Sequence, residues 1–166
     1  YNKTMTAFKT NALFNNSYNA TTKVFDEKKY VAEAKKTLPE EQVNAFFLKA
    51  KIKAAAINKD KDEYQKLSME YYKDGMSPEV TSAELNSISW NFFENATDKV
   101  ALDKALLWAK QSVKLQPGYA NTDTVANLYF KLGDKANTRE WATKAIEFAK
   151  KEGEEYAETQ VLLEKS

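Results

Sequence analysis

Residues 102–115 read LDKALLWAKQSVKL and residues 135–148 read KANTREWATKAIEF, and the second stretch repeats the pattern of the first 33 positions later. The offset pairs Trp108 with Trp141, Ala109 with Ala142, Ser112 with Ala145 and Val113 with Ile146. In both stretches apolar and small residues recur every three or four positions, which is the spacing of one helix face. A repeated amphipathic helix of this kind indicates stacked helical hairpins, because a single hairpin cannot bury its apolar face alone.

The remaining sequence also follows a helix period, and almost no stretch alternates with period two. Thr81, followed three residues later by Glu84, has the spacing of a capping box at a helix start. Asn15-Asn16-Ser17 is expected to interrupt a helix near the beginning of the chain. We interpret the evenly spaced prolines as stops after hairpins: Pro39, Pro78 and Pro117. The sequence therefore predicts an all-α fold.

The predicted architecture is a stack of antiparallel helical hairpins, an α-solenoid, with a capping helix at its C-terminal end. We expect one domain, residues 1–166, since this length suits a single domain. The hairpins are predicted over 4–38, 40–75, 79–117 and 119–152, and the capping helix over 154–165.

Composition excludes several classes of function. The chain has 166 residues, a net charge of +1, no cysteine and no histidine, so it offers no thiol chemistry, no imidazole base and no zinc site of the Cys or His kind. Asp60-Lys61-Asp62-Glu63 lacks the glycine and distal glutamate of an EF-hand loop and is better explained as a capped helix start. We therefore expect no enzymatic activity, metal or cofactor, no nucleic-acid partner and no membrane insertion.

Residues 119–153 resemble one unit of the tetratricopeptide repeat (TPR) family. Ala126 and Ala145 match the small residues of the two helices, Tyr129 matches the tyrosine, and Gly133-Asp134 matches the turn. The second helix of the preceding unit matches at Ala105, Ala109, Ser112 and Pro117. The chain departs from the family pattern at Thr122, Thr138 and Lys150. The first helix of the preceding unit, around Trp90, fits only in a shifted register.

A second resemblance involves the segments QPGYAN, residues 116–121, and KEGEEY, residues 151–156. Together with the helix rich in Ala and Leu before them, they are similar to the helical region that follows a thioredoxin-like domain in some secreted or periplasmic bacterial proteins. This resemblance implies redox cysteines upstream of Tyr1, outside this chain. It favours a periplasmic or secreted bacterial location, with a cytoplasmic one left open.

The TPR resemblance implies a concave face, lined by the first helix of each hairpin, that binds a protein or peptide segment. The residues expected on this face are Asn91, Asn95, Asp123, Asn127, Phe130 and Lys131. Asn127 fits the clamp with which some members of the family hold a terminal carboxylate. Asp123 puts a negative charge where that clamp has a lysine, which argues against carboxylate capture.

Three functions remain open from the sequence. The first is a non-enzymatic scaffold for interactions between proteins or domains. The second is the accessory helical domain of a thiol-disulfide protein, whose partner is a covalently linked upstream domain. The third is a small-molecule site among four aromatic residues: Trp90, Phe92, Phe93 and Trp108.

Overall fold

The computed structural model describes the backbone of residues 3–76 and 80–166, and side chains from residue 5 onwards within these ranges. Helices dominate the described residues, which confirms the all-α prediction, and the only strands among them are two of two residues each. None of the described helices is long and apolar enough to cross a membrane. The contacts divide the chain into two compact units, Tyr1–Tyr71 and Tyr72–Ser166. A single domain over 1–166 stays a prediction.

From residue 3 onwards, the first unit contains four helices and a small β-hairpin. Its elements are α1 (Lys3–Ser17), β1 (Tyr18–Asn19), β2 (Val24–Phe25), α2 (Glu27–Thr37), α3 (Glu40–Asn58) and α4 (Lys61–Tyr72). The strands are antiparallel, with Tyr18 opposite Phe25. Their turn is held by Asn58 at the end of α3, which accepts from the Tyr18 hydroxyl at 2.6 Å and donates to the Lys23 carbonyl at 2.9 Å.

The core of the first unit is rich in aromatic residues. The rings of Phe14 and Phe25 stack 5.7 Å apart, and Tyr30 packs against Phe25 at 5.4 Å. Burial raises the pKa of Tyr30 to about 12. These rings join α1, β2 and α2 around one cluster, which explains why the short hairpin is ordered between the two helices.

Within its described residues, 72–76 and 80–166, the second unit contains five further helices. They are α5 (Ser82–Asn95), α6 (Lys99–Leu115), α7 (Tyr119–Lys131), α8 (Lys135–Glu152) and α9 (Ala157–Lys165). Helix α5 packs on α6 and α7, α6 packs on α7, α7 packs on α8, and α9 packs on α8 and α7. Consecutive helices contact each other, and α5 also reaches α7 past the intervening helix.

Several helix ends of the second unit have the local contacts that their sequence indicates. Thr81 and Glu84 form the predicted capping box, with each side chain accepting the other residue's backbone N–H at 3.1 Å. Asp98 accepts from the Ala101 N–H at 2.9 Å. Gly133 and Gly153 both have positive φ, as expected for residues that end helices.

A buried polar network joins the start of α7 to the preceding hairpin. The Asn121 amide donates to the Ser112 hydroxyl at 3.0 Å and to the Gln116 carbonyl at 2.8 Å. The Ser112 hydroxyl in turn donates to the Ser82 carbonyl at 2.8 Å. Because every buried polar group here has a partner, the network fixes α5, α6 and α7 relative to one another.

Several predicted boundaries were wrong or lie outside the described residues. Helix α1 continues through Asn15-Asn16-Ser17, because Phe14 and Ser17 are buried and hold this turn in the core. The last helix begins at Ala157 rather than at residue 154. Pro39 precedes α3 and Pro117 follows α6, as expected, whereas Pro78 and the start of the predicted 79–117 hairpin lie outside the described residues.

Candidate functional site

The buried positions of α5 and α7 in the second unit are related by an offset of 37 residues. The buried positions Leu85, Ile88 and Ser89 of α5 correspond to buried positions 37 residues later in α7: Thr122, Val125 and Ala126. Two of these correspond in turn to buried positions of α9, another 37 residues on: Thr159 and Leu162. Helix α9 therefore buries positions in the same 37-residue register as α5 and α7.

Asp123, a predicted binding residue, lies against α9. The Thr159 hydroxyl donates to Asp123 Oδ1 at 2.6 Å, and the hydroxyls of Thr159 and Tyr119 lie 2.9 Å apart. Burial raises the pKa of Asp123, the Thr159 hydrogen bond opposes this, and the charge of Glu158 raises it further. Asp123 thus anchors α9, which leaves its carboxylate only half exposed.

Asn127 lies one turn further along the same face of α7. Its amide donates at 3.0 Å both to the Asp123 carbonyl and to Asp123 Oδ2. The amide N–H groups that could hold a ligand carboxylate are therefore turned toward an acidic side chain. The negative charge of Asp123 and the direction of the Asn127 N–H groups are therefore both unsuited to holding a ligand carboxylate.

Lys131 and Phe130 lie at the C-terminal end of α7. The Lys131 ammonium donates to the Phe93 carbonyl of α5 and lies 5.4 Å from the centre of the Phe93 ring. This contact brings the ends of α5 and α7 together. Phe130 is an exposed aromatic residue beside it, with 40% of its surface accessible.

On α5 the 37-residue register points to residues other than the two predicted ones, whose role in binding stays a prediction. The 37-residue register matches Asp123, Asn127, Phe130 and Lys131 with the following residues: Asn86, Trp90, Phe93 and Glu94. Asn91 and Asn95, the predicted residues, instead match Leu128 and Leu132. The Asn95 amide donates to the Asn91 carbonyl at 2.9 Å, a bond within one helix.

We define the α5–α7 surface as Trp90, Phe93, Asn127, Phe130 and Lys131. The rings of Trp90 and Phe93 lie 4.8 Å apart, both are half-buried, and Lys131 joins Phe93 to α7. Sequence reasoning placed Trp90 and Phe93 only in a small-molecule site. The signal that could have placed them here is the 37-residue repeat of the first helices, which differs from the 33-residue repeat of the second helices.

The other two aromatic residues of the proposed small-molecule site belong to the core. Phe92 and Trp108 are completely buried, and their rings meet edge to face at 5.1 Å. The Trp108 indole donates to the Lys73 carbonyl at 3.0 Å. These residues fill the interior of the second unit, so the four aromatic residues do not form one accessible site.

The chemistry available on the α5–α7 surface is that of recognition. Its aromatic faces can bind an apolar or cationic side chain, and its amide and ammonium groups can form hydrogen bonds. Among the residues that the structure describes, no group of three or more carboxylates is placed to hold a metal ion.

Comparisons with known proteins add no relative. No protein-family model, no curated protein and no solved structure matches the chain.

Proposed function

We propose that this chain is a non-enzymatic, TPR-like scaffold that binds a protein or peptide segment on its α5–α7 surface. The observation that carries the proposal is the contact of Lys131 with the carbonyl and ring of Phe93, which joins two first helices in register. Helices repeated in this way present one continuous surface, on which repeat proteins bind extended or helical segments. The half-exposed aromatic residues supply the anchoring positions that peptide recognition requires.

The α5–α7 surface also meets the general criteria for a protein interface. Aromatic residues are enriched at the centres of interfaces, and three of its five members are aromatic. Asn127 donates to Asp123 and Lys131 donates to the Phe93 carbonyl, so both polar residues of the surface are already bonded within the protein. The predicted partner is a segment of a few residues that places apolar side chains against Phe93 and Phe130.

A selection of displayed peptides against the full chain tests this function. We expect enriched peptides to bind the wild-type protein and to lose at least tenfold in affinity with Phe130→Ser. Val161→Ser is the matched control, because Val161 is an exposed apolar residue of α9 outside the α5–α7 surface. Selected peptides that bind Phe130→Ser as well as they bind the wild type would contradict the proposal.

A second candidate is the accessory domain of a larger thiol-disulfide protein. The observation that favours it is an exposed apolar strip on α1, where Met5 is 54% and Phe8 is 74% accessible. Ala12, one turn further along the same face, is exposed too. A covalently linked domain would cover such a strip, since exposed apolar side chains that share a face mark interaction sites.

Sequencing the native gene upstream of the Tyr1 codon tests the second candidate. It predicts a thioredoxin-like domain with paired cysteines, and protection of the α1 amides from hydrogen exchange in the longer protein. Phe8→Ser should remove this protection, whereas Val24→Ser, at another exposed apolar position on β2, should retain it. An upstream region without cysteines would reject the thiol-disulfide assignment.

A further inference from the structure

The α5–α7 surface has an apolar end. Phe130 is exposed, and it lies beside Lys131, whose ammonium covers the Phe93 ring. Trp90 extends the aromatic area along α5, with its ring 4.8 Å from that of Phe93. An aromatic or aliphatic side chain of a ligand would find its largest apolar contact here.

The residues next to the opposite end of this surface are acidic. Asp123 lies seven residues before Phe130 on α7, and Glu158 on α9 precedes Thr159, whose hydroxyl donates to Asp123 Oδ1 at 2.6 Å. The charge of Glu158 also raises the pKa of Asp123 beyond the effect of burial. Burial raises the pKa of the Tyr119 hydroxyl, and the charges of Asp123, Glu158 and Glu154 raise it further. The negative charges of these three carboxylates therefore combine near the Tyr119 hydroxyl, where they would attract a cation.

Lys131, the only cationic residue among the five that define the surface, does not offset this negative charge for a ligand. The Lys131 ammonium already donates to the Phe93 carbonyl and lies over the Phe93 ring. A ligand carboxylate would have to displace these contacts and approach Glu94, which is exposed on the neighbouring turn of α5. The charges thus disfavour acidic ligands and favour basic ones.

The separation of the two ends sets a spacing in the ligand. Seven residues along a helix rise about 10 Å, and three residues of an extended peptide cover the same distance. Resting on the function proposed above, we infer that the α5–α7 surface selects an extended segment in which a cationic side chain lies about three residues from an aromatic or aliphatic one. The cation lies toward Asp123 and Glu158, and the apolar side chain lies against Phe130 and Phe93.

Two blocked peptides test this selectivity on the full chain. The first is acetyl-Phe-Ala-Ala-Arg-Ala-Ala-Phe-amide, which presents the spacing in either chain direction, and the second has Glu in place of Arg. Chemical shifts of the Trp90 indole N–H and of the Phe130 and Asp123 amides are followed during titration. We expect saturable shifts with the Arg peptide and at least tenfold weaker binding of the Glu peptide, a difference that 0.5 M salt reduces.

Charge variants identify the source of the selectivity. Glu158→Lys should reduce the preference for the Arg peptide about fivefold, whereas Glu147→Lys, the same change at an exposed position of α8, should leave it intact. Equal binding of the two peptides, or an equal effect of the two variants, overturns the inference but not the proposed function. If peptides selected by display bind at Phe130 while neither test peptide does, the spacing is wrong. If no displayed peptide depends on Phe130, the proposed function itself fails.

Discussion

The Thr159 hydroxyl donates to Asp123 Oδ1 at 2.6 Å and thereby joins α9 to α7. Tyr119 extends the contact, with its hydroxyl 2.9 Å from that of Thr159. Below it, Leu162 packs with Ala126 and Ala142. A residue that sequence reasoning assigned to ligand binding therefore holds the last helix in place.

The first prediction concerns Asp123→Asn. Because burial raises the pKa of Asp123 in the folded state, the protonated form favours folding. This stabilisation is present below about pH 4, the pKa range of an aspartate in the unfolded chain, and it is lost as the pH rises through the raised pKa of Asp123 in the folded state. We expect the free energy of unfolding of Asp123→Asn, relative to wild type, to increase from pH 3.5 to pH 7, as denaturant titrations would measure.

Asp103→Asn is the control for this pH dependence. Asp103 is an exposed aspartate on α6 whose carboxylate pairs with Lys99 at 2.6 Å. Exposed pairs of this kind contribute little to stability, so the variant should follow the wild type within about 0.5 kcal/mol at every pH. A difference between Asp123→Asn and wild type that does not change with pH would show that the carboxylate is not destabilised by burial.

The second prediction tests the docking of α9 through its apolar contact. Leu162 is buried against Ala126 and Ala142, so Leu162→Ala should lower the free energy of unfolding by about 2 kcal/mol. Val161 is 46% exposed on the same helix, and Val161→Ala should change it by less than about 0.5 kcal/mol. Similar losses in the two variants, measured by chemical denaturation, would mean that α9 does not dock through Leu162.

The helix ends could be predicted from the sequence because their signals are local. The capping box of Thr81 and Glu84 needs only two residues at a fixed spacing, and the structure has both bonds. Asp98 and Asp60 cap helices in the same way, each accepting a backbone N–H three residues later. Such contacts form within one turn and do not depend on the rest of the fold.

The buried face of α5 agrees with the apolar stripe of Leu85, Ile88 and Phe92, whereas the alignment of this helix with the repeat pattern is ambiguous from the sequence. Three of the four residues in Trp90-Asn91-Phe92-Phe93 are aromatic, so turning the helix by one position still buries a ring. Packing determines which ring is buried, because Phe92 contacts Trp108 in the core, whereas Trp90 and Phe93 are only half-buried. Asn91 and Asn95 are half-buried on the same helix, and their role in binding stays a prediction.

The β-hairpin of the first unit was missed for a related reason. Asn and Ser have low helix propensity, so local preference alone predicts that the helix ends at Asn15-Asn16-Ser17. In the fold, the buried Phe14 and Ser17 keep this turn helical. The Asp26 N–H then donates to the Ser17 carbonyl at 2.8 Å, which closes the hairpin between α1 and α2.

The third prediction compares two glycines with similar backbone conformations. Gly75 and Gly133 have φ of 73° and 82°, so alanine at either position is strained. A Cβ on Gly75 would also lie 3.1 Å from Trp108 Cδ1 and 3.2 Å from Leu85 Cδ2, whereas one on Gly133 would meet nothing within 4 Å. We expect thermal unfolding to show a loss of about 1 kcal/mol for Gly133→Ala and about 2–3 kcal/mol for Gly75→Ala. Equal losses would show that the core around Trp108 adjusts freely.

The fourth prediction uses the two tryptophans that the 33-residue repeat makes equivalent. Trp108 is completely buried between Tyr72 and Phe92, and its indole donates to the Lys73 carbonyl at 3.0 Å. That carbonyl also accepts from the Lys104 ammonium, so Trp108→Phe does not leave it without a partner. The loss comes mainly from the cavity left by the indole and should be about 2 kcal/mol.

Trp141 is the matched control, because it occupies the equivalent position on α8 but is only half-buried, with the Lys144 ammonium 4.7 Å from its ring. Trp141→Phe should therefore lower the free energy of unfolding by less than about 1 kcal/mol. Denaturation followed by circular dichroism compares the two variants without relying on the fluorescence that they alter. An equal loss of stability in Trp141→Phe and Trp108→Phe would mean that the two indoles are packed equivalently. That result would contradict the difference in burial between Trp108 and Trp141.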